Sequence, residues 1–143
     1  MLFGKRERAI RRILIVEDEP LVAFDNEHLL RECGYEVVAT VDTLADAVRV
    51  LSDGEPVDLV LSDIKLNGDG DGMDVARAAA ARQVPVLFVT ANCPIEARSL
   101  GIGCLAKPYT DKILRNALDA LDRKLQGKPV KRLPAGLSLY EEA

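Results

Sequence analysis

The sequence predicts a doubly wound α/β fold built on a five-stranded parallel sheet. Five short apolar runs alternate with segments whose apolar residues recur at helical spacing. Two of the runs end abruptly in carboxylates, one in Glu17-Asp18-Glu19 and the other in Asp63. This alternation is typical of parallel strands that are covered by helices on both faces.

Length and composition favour one ordinary globular domain. The chain has 143 residues and a net charge of −4, which argues against nucleic acid as a partner. No apolar run reaches transmembrane length, and the first residues lack the apolar core of a signal peptide. The three cysteines show neither metal-ligand spacing nor an even disulfide set. We therefore expect a cytoplasmic protein whose cysteines act as small buried hydrophobic residues.

Three regions are predicted along the chain. Residues 1–12 are basic and aperiodic, which predicts a solvated arm. Residues 13–125 form the domain, and residues 126–143 form a tail in which we expect no output domain. The tail mixes apolar and basic residues, so it could be disordered or could dock on a groove.

The first half of the domain supplies two strands and two helices. Ile13 to Val16 is the first strand, and Pro20 suits the first turn of a helix that runs to Cys33 and stops at Gly34. The second strand covers 36–42. The second helix begins near Asp42 or Thr43, and either residue could cap it.

The second half continues the alternation. The third strand, 57–61, leads to Asp63 and to the turn 67–72, whose acidic and glycine residues lack the glutamate that a calcium loop needs; we interpret the turn as a flexible crossover. A helix at 73–83 and a strand at 84–89, which ends at Thr90, come next. A short fourth helix is expected within 91–101, and a strand at 102–106 ends at Lys107. A fifth helix, capped by Thr110, runs to residue 125.

The topology brings the strand ends together. Right-handed crossovers favour the flavodoxin-like strand order 2-1-3-4-5, in which the first and third strands are neighbours. Glu17, Asp18 and Asp63 would then converge at one edge, with Thr90 and Lys107 close by.

Such a set of side chains suits phosphoryl chemistry. Converging carboxylates repel one another unless a cation shares the site, and Mg2+ accepts one or two protein carboxylates while keeping several waters. A carboxylate such as Asp63 can attack phosphorus to give an aspartyl-phosphate. Lys107 would offset the charge of the transferring group, and the Thr90 hydroxyl could bind a phosphate oxygen. Each residue alone is also compatible with an ordinary surface role, so the prediction depends on the whole set.

Together these residues resemble a response-regulator receiver domain of two-component signalling over about residues 11–125. The resemblance implies a histidine kinase as phosphoryl donor and Mg2+ as cofactor. It also implies roles for individual residues: Asp63 as phosphoacceptor; Glu17, Asp18, Asp63 and the Lys65 backbone carbonyl as metal ligands; Thr90, Ala91 and Lys107 around the phosphate; and Pro108 after a cis peptide bond.

The chain departs from the family pattern near its fifth strand. Cys104 stands where the family usually has an aromatic residue that rotates inward on phosphorylation, and the interval from Thr90 to Lys107 is short. The segment 88–91 reads Phe-Val-Thr-Ala and approximates the Phe-Ala-Thr-Gly of the single-domain FATGUY receivers. We therefore expect a switch based on movement of a loosely held 91–101 loop rather than on aromatic rotation.

The resemblance leaves several functions open. The first is a single-domain response regulator that dephosphorylates itself and is no dedicated enzyme. It would bind a partner through the face formed by the fourth helix, the fifth strand and the fifth helix, together with the tail, or it would act as a phosphate sink or feedback partner for its kinase. The second is a pseudo-receiver that binds proteins without phosphorylation. An aspartate-nucleophile phosphatase is disfavoured because Lys65 stands where that chemistry needs a second aspartate. Neither nucleic acid nor a membrane is expected as a partner.

Overall fold

The computed structural model describes residues 7–141 of the chain. Strands and helices alternate in the predicted way, with one additional strand at the end. The elements are β1 (Arg12–Val16), α1 (Pro20–Glu32), β2 (Glu36–Val41), α2 (Leu44–Ser52), β3 (Leu59–Ser62), α3 (Gly72–Ala80), β4 (Val86–Thr90), a 3-10 helix (Ile95–Ser99), β5 (Gly103–Ala106), α4 (Asp111–Leu125) and β6 (Leu137–Leu139).

The strand order is β2-β1-β3-β4-β5-β6. The first five strands pair in parallel in the predicted order 2-1-3-4-5, so the doubly wound fold is confirmed. The sixth strand is antiparallel to β5, and the sequence did not predict it.

Two apolar cores lie on opposite faces of the sheet. Successive strand residues point to opposite faces, so Ile13 and Ile15 belong to one core while Leu14 and Val16 belong to the other. Helices α1 and α4 cover the first face, and α2 and α3 cover the second. The central strands are therefore buried on both sides, which explains their continuous apolar sequence.

The ordered domain begins before residue 13. Ile10 has no exposed surface, and the Asp122 carboxylate of α4 accepts hydrogen bonds from Ile10 N at 2.9 Å and from Ala9 N at 3.1 Å. The predicted solvated arm is wrong at this point, because one apolar residue in a basic segment completes the core. Residues 1–6, with Lys5 and Arg6 of that arm, lie outside the described residues, as do residues 142–143.

The segment between β4 and β5 contains a 3-10 helix in place of the predicted short α-helix. Pro94 precedes the helix, and Leu100 N closes its end on Ala97 O at 3.0 Å. Ala97 has no exposed surface and anchors the helix on the sheet. Short 3-10 helices are frequent as connections between strands and helices.

The end of the tail is ordered against the sheet edge. Leu137 and Tyr140 are buried, and Tyr140 N donates to Ile102 O at 2.9 Å. At Gly103 an added Cβ would lie 2.5 Å from Ser138 O, so only glycine lets β6 approach β5 this closely. A disordered tail is therefore excluded for residues 137–140. Within the described part of the chain, no helix has both the length and the apolar composition needed to cross a membrane.

Candidate functional site

The predicted site residues lie at the carboxyl edge of the parallel strands. Backbone hydrogen bonds continue each strand pair by one residue beyond its last member and fix the position of that residue. Glu17 N donates to Val41 O at 2.9 Å, and Asp63 N donates to Val16 O at 2.9 Å. The side chains of Glu17 and Asp63 therefore start from adjacent, well-defined backbone positions.

Thr90 and Lys107 reach the same edge from the other side of β3. Lys107 N donates to Thr90 O at 2.8 Å, which extends the β4–β5 pairing by one residue. Thr90 is buried, whereas Ala91 directly after it is exposed. The Lys107–Pro108 peptide bond, for which the resemblance implied the cis form, is cis.

The Lys107 ammonium holds the acidic groups together. Its Nζ lies 2.7 Å from Asp63 Oδ2, 2.9 Å from Glu17 Oε1 and 3.1 Å from Glu19 Oε2. Asp63 Oδ1 on the opposite side accepts Ile64 N at 2.6 Å. Both oxygens of Asp63 are thus oriented by donors, one from the backbone and one from the lysine.

Burial leaves the site with unbalanced negative charge. Desolvation raises the pKa of Glu17 to about 7; it outweighs the hydrogen bond and charge of Lys107, and the negative charge of Asp63 adds to the rise. For Lys107, burial alone would lower the pKa, but the hydrogen bonds to Asp63 and Glu17 outweigh it and raise the pKa above its ordinary value. Lys107 is therefore charged at neutral pH, whereas Glu17 changes its charge near neutrality.

The acidic residues fit a divalent metal ion. Glu17, Asp18 and Asp63 each offer a carboxylate oxygen, and these atoms lie within 4.8 Å of one another. Glu17 Oε1 is buried and, among the described residues, receives no well-directed hydrogen bond, although the Lys107 ammonium lies 2.9 Å away. An oxygen-only donor set with an unsatisfied buried oxygen suits Mg2+ or Ca2+. Lys65, whose backbone carbonyl was the other predicted ligand, lies two residues after Asp63 in the turn that follows β3, and its side chain is exposed.

The glycine-rich segment after Asp63, which the sequence predicted to be a flexible crossover, leads into α3 through a helix cap. Asp71 caps α3 by accepting Met73 N and Asp74 N, and the Asp74 side chain accepts Asp71 N in return. Gly72 N donates to Ile64 O at 2.6 Å, and a Cβ on Gly72 would lie 2.0 Å from Asp63 O. The absence of that Cβ lets α3 pack directly on the Asp63 turn. The spacing of the two aspartates was the sequence signal for this cap.

A disulfide lies beside the site. Cys93, in the loop after Thr90, is bonded to Cys104 of β5, and among the described cysteines only Cys33 is free. The sequence interpretation of all three cysteines as unpaired hydrophobic residues is wrong for these two. The 91–101 segment, which the sequence suggested was loosely held, is tied to the sheet by this bond and by buried Ala97.

One polar pair near the site escaped the sequence interpretation. Asn26 of α1 and the Tyr109 hydroxyl exchange hydrogen bonds at 2.9 and 3.1 Å. Asn26 is buried, so its amide needs such a partner. The pair ties the turn after Lys107 to α1 and thereby restrains the lysine. A polar residue within the apolar stripe of α1 was the only signal for it.

Comparison with known proteins identifies the family. A sequence profile described as "Response regulator receiver domain" matches residues 13–119, well over half of the chain. The chain belongs to this family. It is a receiver domain of the kind found in two-component systems, which typically bind Mg2+ at an acidic pocket such as the one formed here by Glu17, Asp18 and Asp63.

Two curated relatives and one solved structure illustrate the similarity. The chain is 39% identical over 80 residues to the phyllosphere-induced regulator PhyR of Methylorubrum extorquens, a match that covers 55% of this chain and 30% of PhyR. It is 35% identical over 115 residues to the transcriptional regulatory protein PdtaR of Mycobacterium tuberculosis, covering 76% of this chain and 55% of PdtaR. The chain thus spans about half or less of the length of these relatives.

The solved structure is the receiver domain of the sensor histidine kinase PA1611 from Pseudomonas aeruginosa. It superposes with a TM-score of 0.67 at 30% identity and covers 83% of this chain and 99% of its own length. In that structure a magnesium ion is coordinated in the active-site cleft. Both the sequence and the fold therefore place this chain among receiver domains.

Proposed function

We propose that this receiver domain accepts a phosphoryl group from a histidine kinase onto Asp63, in a reaction that requires Mg2+. The observation that carries the proposal is the placement of the Asp63 carboxylate. It lies 2.7 Å from the Lys107 ammonium and belongs to the acidic cluster with Glu17 and Asp18. Family membership and the magnesium in the related PA1611 receiver support the choice of metal.

The transfer uses groups that the chain supplies. An Asp63 carboxylate oxygen attacks phosphorus, the phosphorus–nitrogen bond to the kinase histidine breaks, and the imidazole leaves with the electron pair and takes up a proton. Lys107 compensates charge on the phosphoryl oxygens, while Thr90 and the backbone at Ala91 stand at the same edge to receive them. When bound, Mg2+ neutralises the negative charge shared by the phosphoryl group and the carboxylates. Glu17, Asp18, Asp63 and the Lys65 carbonyl are the proposed ligands.

Incubation with Mg2+ and a small phosphodonor such as acetyl phosphate tests this proposal. We expect wild-type protein to become phosphorylated and Asp63→Asn to remain unlabelled. Asp69→Asn is the matched control, since Asp69 is an exposed carboxylate six residues further along the same turn. Equal labelling of wild type and Asp63→Asn would refute the assignment. No labelling of any variant would favour a protein-binding module that works without phosphorylation.

We further infer that the protein signals by binding a partner or by withdrawing phosphoryl groups from its kinase, and is no dedicated enzyme. The face formed by the 3-10 helix, β5 and α4 is the surface through which we expect a downstream protein to bind. Strand β6 of the tail already lies along the β5 edge of that face. The compartment that fits a histidine-kinase partner is the cytoplasm.

Reconstitution with the kinase and a second acceptor distinguishes these two modes. A phosphate sink should lower the phosphate on the second acceptor, and Asp63→Asn should have no such effect. Equal inhibition by both proteins would indicate binding alone. If neither protein changes the second acceptor, the sink role is wrong.

A further inference from the structure

The Cys93–Cys104 bond joins two parts of the chain that surround the phosphate side of the site. Cys93 is three residues after Thr90, and Cys104 is three residues before Lys107. The two Cα atoms are 6.2 Å apart, within the range that a disulfide spans without distorting the backbone. The bond therefore connects the segment after Thr90 to β5, the strand that leads to Lys107.

We propose that Cys93 and Cys104 form a thiol–disulfide exchange site, whose oxidation clamps the loop after Thr90 and whose reduction releases it. The co-reactants are low-molecular-weight or protein disulfides in one direction and the corresponding thiols in the other. The clamp itself requires only the two cysteines. Its effect on signalling rests on the proposed phosphorylation of Asp63.

The two cysteines differ in exposure, which gives the exchange a direction. Cys93 is exposed, whereas Cys104 has no exposed surface. In oxidation, the Cys93 thiolate attacks an external disulfide and releases one thiolate. Cys104 then attacks the sulfur of Cys93 and releases the second. Two cysteine thiols are oxidised and one external disulfide is reduced to two thiols, so the electrons balance. Reduction of the protein disulfide reverses these steps and begins with attack of an external thiolate on Cys93.

The disulfide is the principal restraint on the start of the loop. Among the hydrogen bonds of residues 7–141, none ties residues 91–93 to the sheet. Farther along, Gly101 N bonds to Ala97 O and Ile102 N bonds to Val86 O, so the end of the loop is held without the disulfide. Reduction should therefore free residues 91–94 and leave residues 100–103 in place.

The position of Cys104 connects the clamp to the rest of the domain. Cys104 is opposite Phe88 in the β4–β5 pairing and opposite Ser138 in the β5–β6 pairing. The bond to Cys104 limits how far the loop can move relative to this strand. In the oxidised form, a displacement of Thr90 on phosphorylation would be confined to the site, whereas in the reduced form it could propagate to residues 91–94. Disulfides of cytoplasmic proteins are commonly transient and redox-sensing, which suits such a device.

Thiol counting and trypsin digestion test the clamp without any phosphodonor. In glutathione buffers from oxidising to reducing, wild-type protein should gain two free thiols, and Cys33→Ser, the matched control, should gain the same two. Trypsin cleaves after exposed Arg98, which lies inside the ring closed by the disulfide. We expect cleavage about fivefold faster or more in reduced protein, because residues 91–94 then open more often.

The trypsin fragments and the variant Cys93→Ser provide two further checks of the disulfide clamp. Oxidised protein cut after Arg98 should stay joined on a non-reducing gel, because Cys93 and Cys104 lie on opposite sides of the cut. Cys93→Ser, a change at an exposed position, should be cut at the fast rate whatever the buffer. Failure to gain two thiols, or equal cleavage rates for oxidised and reduced wild type, would overturn the exchange site.

Amide exchange with acetyl phosphate and Mg2+ tests the link to signalling. Phosphorylation should change exchange at the amides of residues 91–93 in reduced protein and in Cys93→Ser, but not in oxidised protein. Equal changes in both redox states would overturn the gating. If Asp63 is never labelled, the proposed phosphorylation fails, while the thiol and trypsin results still decide whether the clamp exists.

Discussion

The acidic edge of the sheet and the region around β5 are organised in different ways. At the edge, Glu17, Asp63 and Lys107 each directly follow a parallel strand, and ion pairs of 2.7–2.9 Å bring them together. Around β5, a covalent bond and an added antiparallel strand join segments that the parallel topology does not pair. We call the second region, formed by Cys93, Cys104, β6 and Tyr140, the β5 clamp.

The difference shows which parts of this receiver domain its chemistry constrains. Phosphoryl transfer needs a carboxylate, a cation and oxygen ligands at set distances, so the acidic edge follows the family pattern. The β5 clamp replaces a rotating aromatic by a cysteine, and its apolar filling comes partly from Tyr140 of the tail, which packs in the same core as Cys104 and Phe88. The two regions should therefore respond separately to mutation.

Removal of the lysine should have the largest effect on the rate of phosphorylation. Lys107→Ala leaves Asp63 and Glu17 facing each other without their shared ammonium, and we expect the labelling rate with acetyl phosphate to fall about 100-fold or more. Lys65→Ala is the control, since that exposed side chain has no proposed role. Labelling of Lys107→Ala at the rate of Lys65→Ala would remove the lysine from the mechanism.

A methyl group added at Gly72, beside the acidic edge, should lower the free energy of unfolding more than a methyl group added at Gly101, just before β5. At Gly72 the new Cβ would lie 2.0 Å from the Asp63 backbone oxygen, while at Gly101 it would first meet the Phe88 ring edge at 2.6 Å. Backbone yields less than a ring, so we expect losses in the free energy of unfolding of about 3 kcal/mol for Gly72→Ala and about 1–2 kcal/mol for Gly101→Ala. Urea denaturation measures both, and the reverse order would contradict the rigid turn at Asp63.

Truncation of Tyr140 should weaken the fold but not the phosphorylation site. The side chain is 9% exposed and packs in the core beside Cys104, so Tyr140→Ala should cost about 2 kcal/mol. Leu133→Ala, at a residue that is 42% exposed, should change the free energy of unfolding by less than about 0.5 kcal/mol. A labelling rate at Asp63 that falls with Tyr140→Ala in native conditions would show that the two regions are not separable.

The smallest effect concerns the charge of Glu17 in metal-free protein. Its pKa rises from 4.5 in the unfolded chain to about 7 in the fold, so the stabilising contribution is complete below pH 4.5 and is lost as the pH rises through 7. Glu17→Gln removes the buried charge and should stabilise metal-free protein by about 1–2 kcal/mol at pH 8, after allowance for screening by water. The advantage should disappear by pH 5. A gain that is the same at both pH values would mean that Glu17 does not titrate as proposed.

The sequence predicted the acidic edge well because its geometry depends on local rules. Each of Asp63, Thr90 and Lys107 ends an apolar run, and parallel strands must place their carboxyl ends at one edge. The capping box of α3 was also within reach, since Asp71 and Asp74 have the required spacing. It was missed because the glycines around Asp69 suggested flexibility.

The β5 clamp was out of reach because it depends on packing between distant residues. A three-residue strand such as 137–139 has no distinguishing period, and its pairing with β5 requires the absence of a side chain at Gly103. Cysteine count alone could not select Cys93 and Cys104 over Cys33. Likewise, the burial of Ile10 depends on Asp122, more than a hundred residues away.

Locating the phosphoryl group directly tests the central claim, that Asp63 is the acceptor at the acidic edge. Phosphorylated protein is treated with borohydride, which converts an aspartyl-phosphate to homoserine, and the modified residue is identified by peptide mass spectrometry. We predict homoserine at position 63 alone, in oxidised and in reduced protein alike. Homoserine at position 18, 2-amino-5-hydroxypentanoic acid (the corresponding product of a glutamyl-phosphate) at position 17, or no reduced residue under conditions in which a known receiver domain is labelled, would contradict the account.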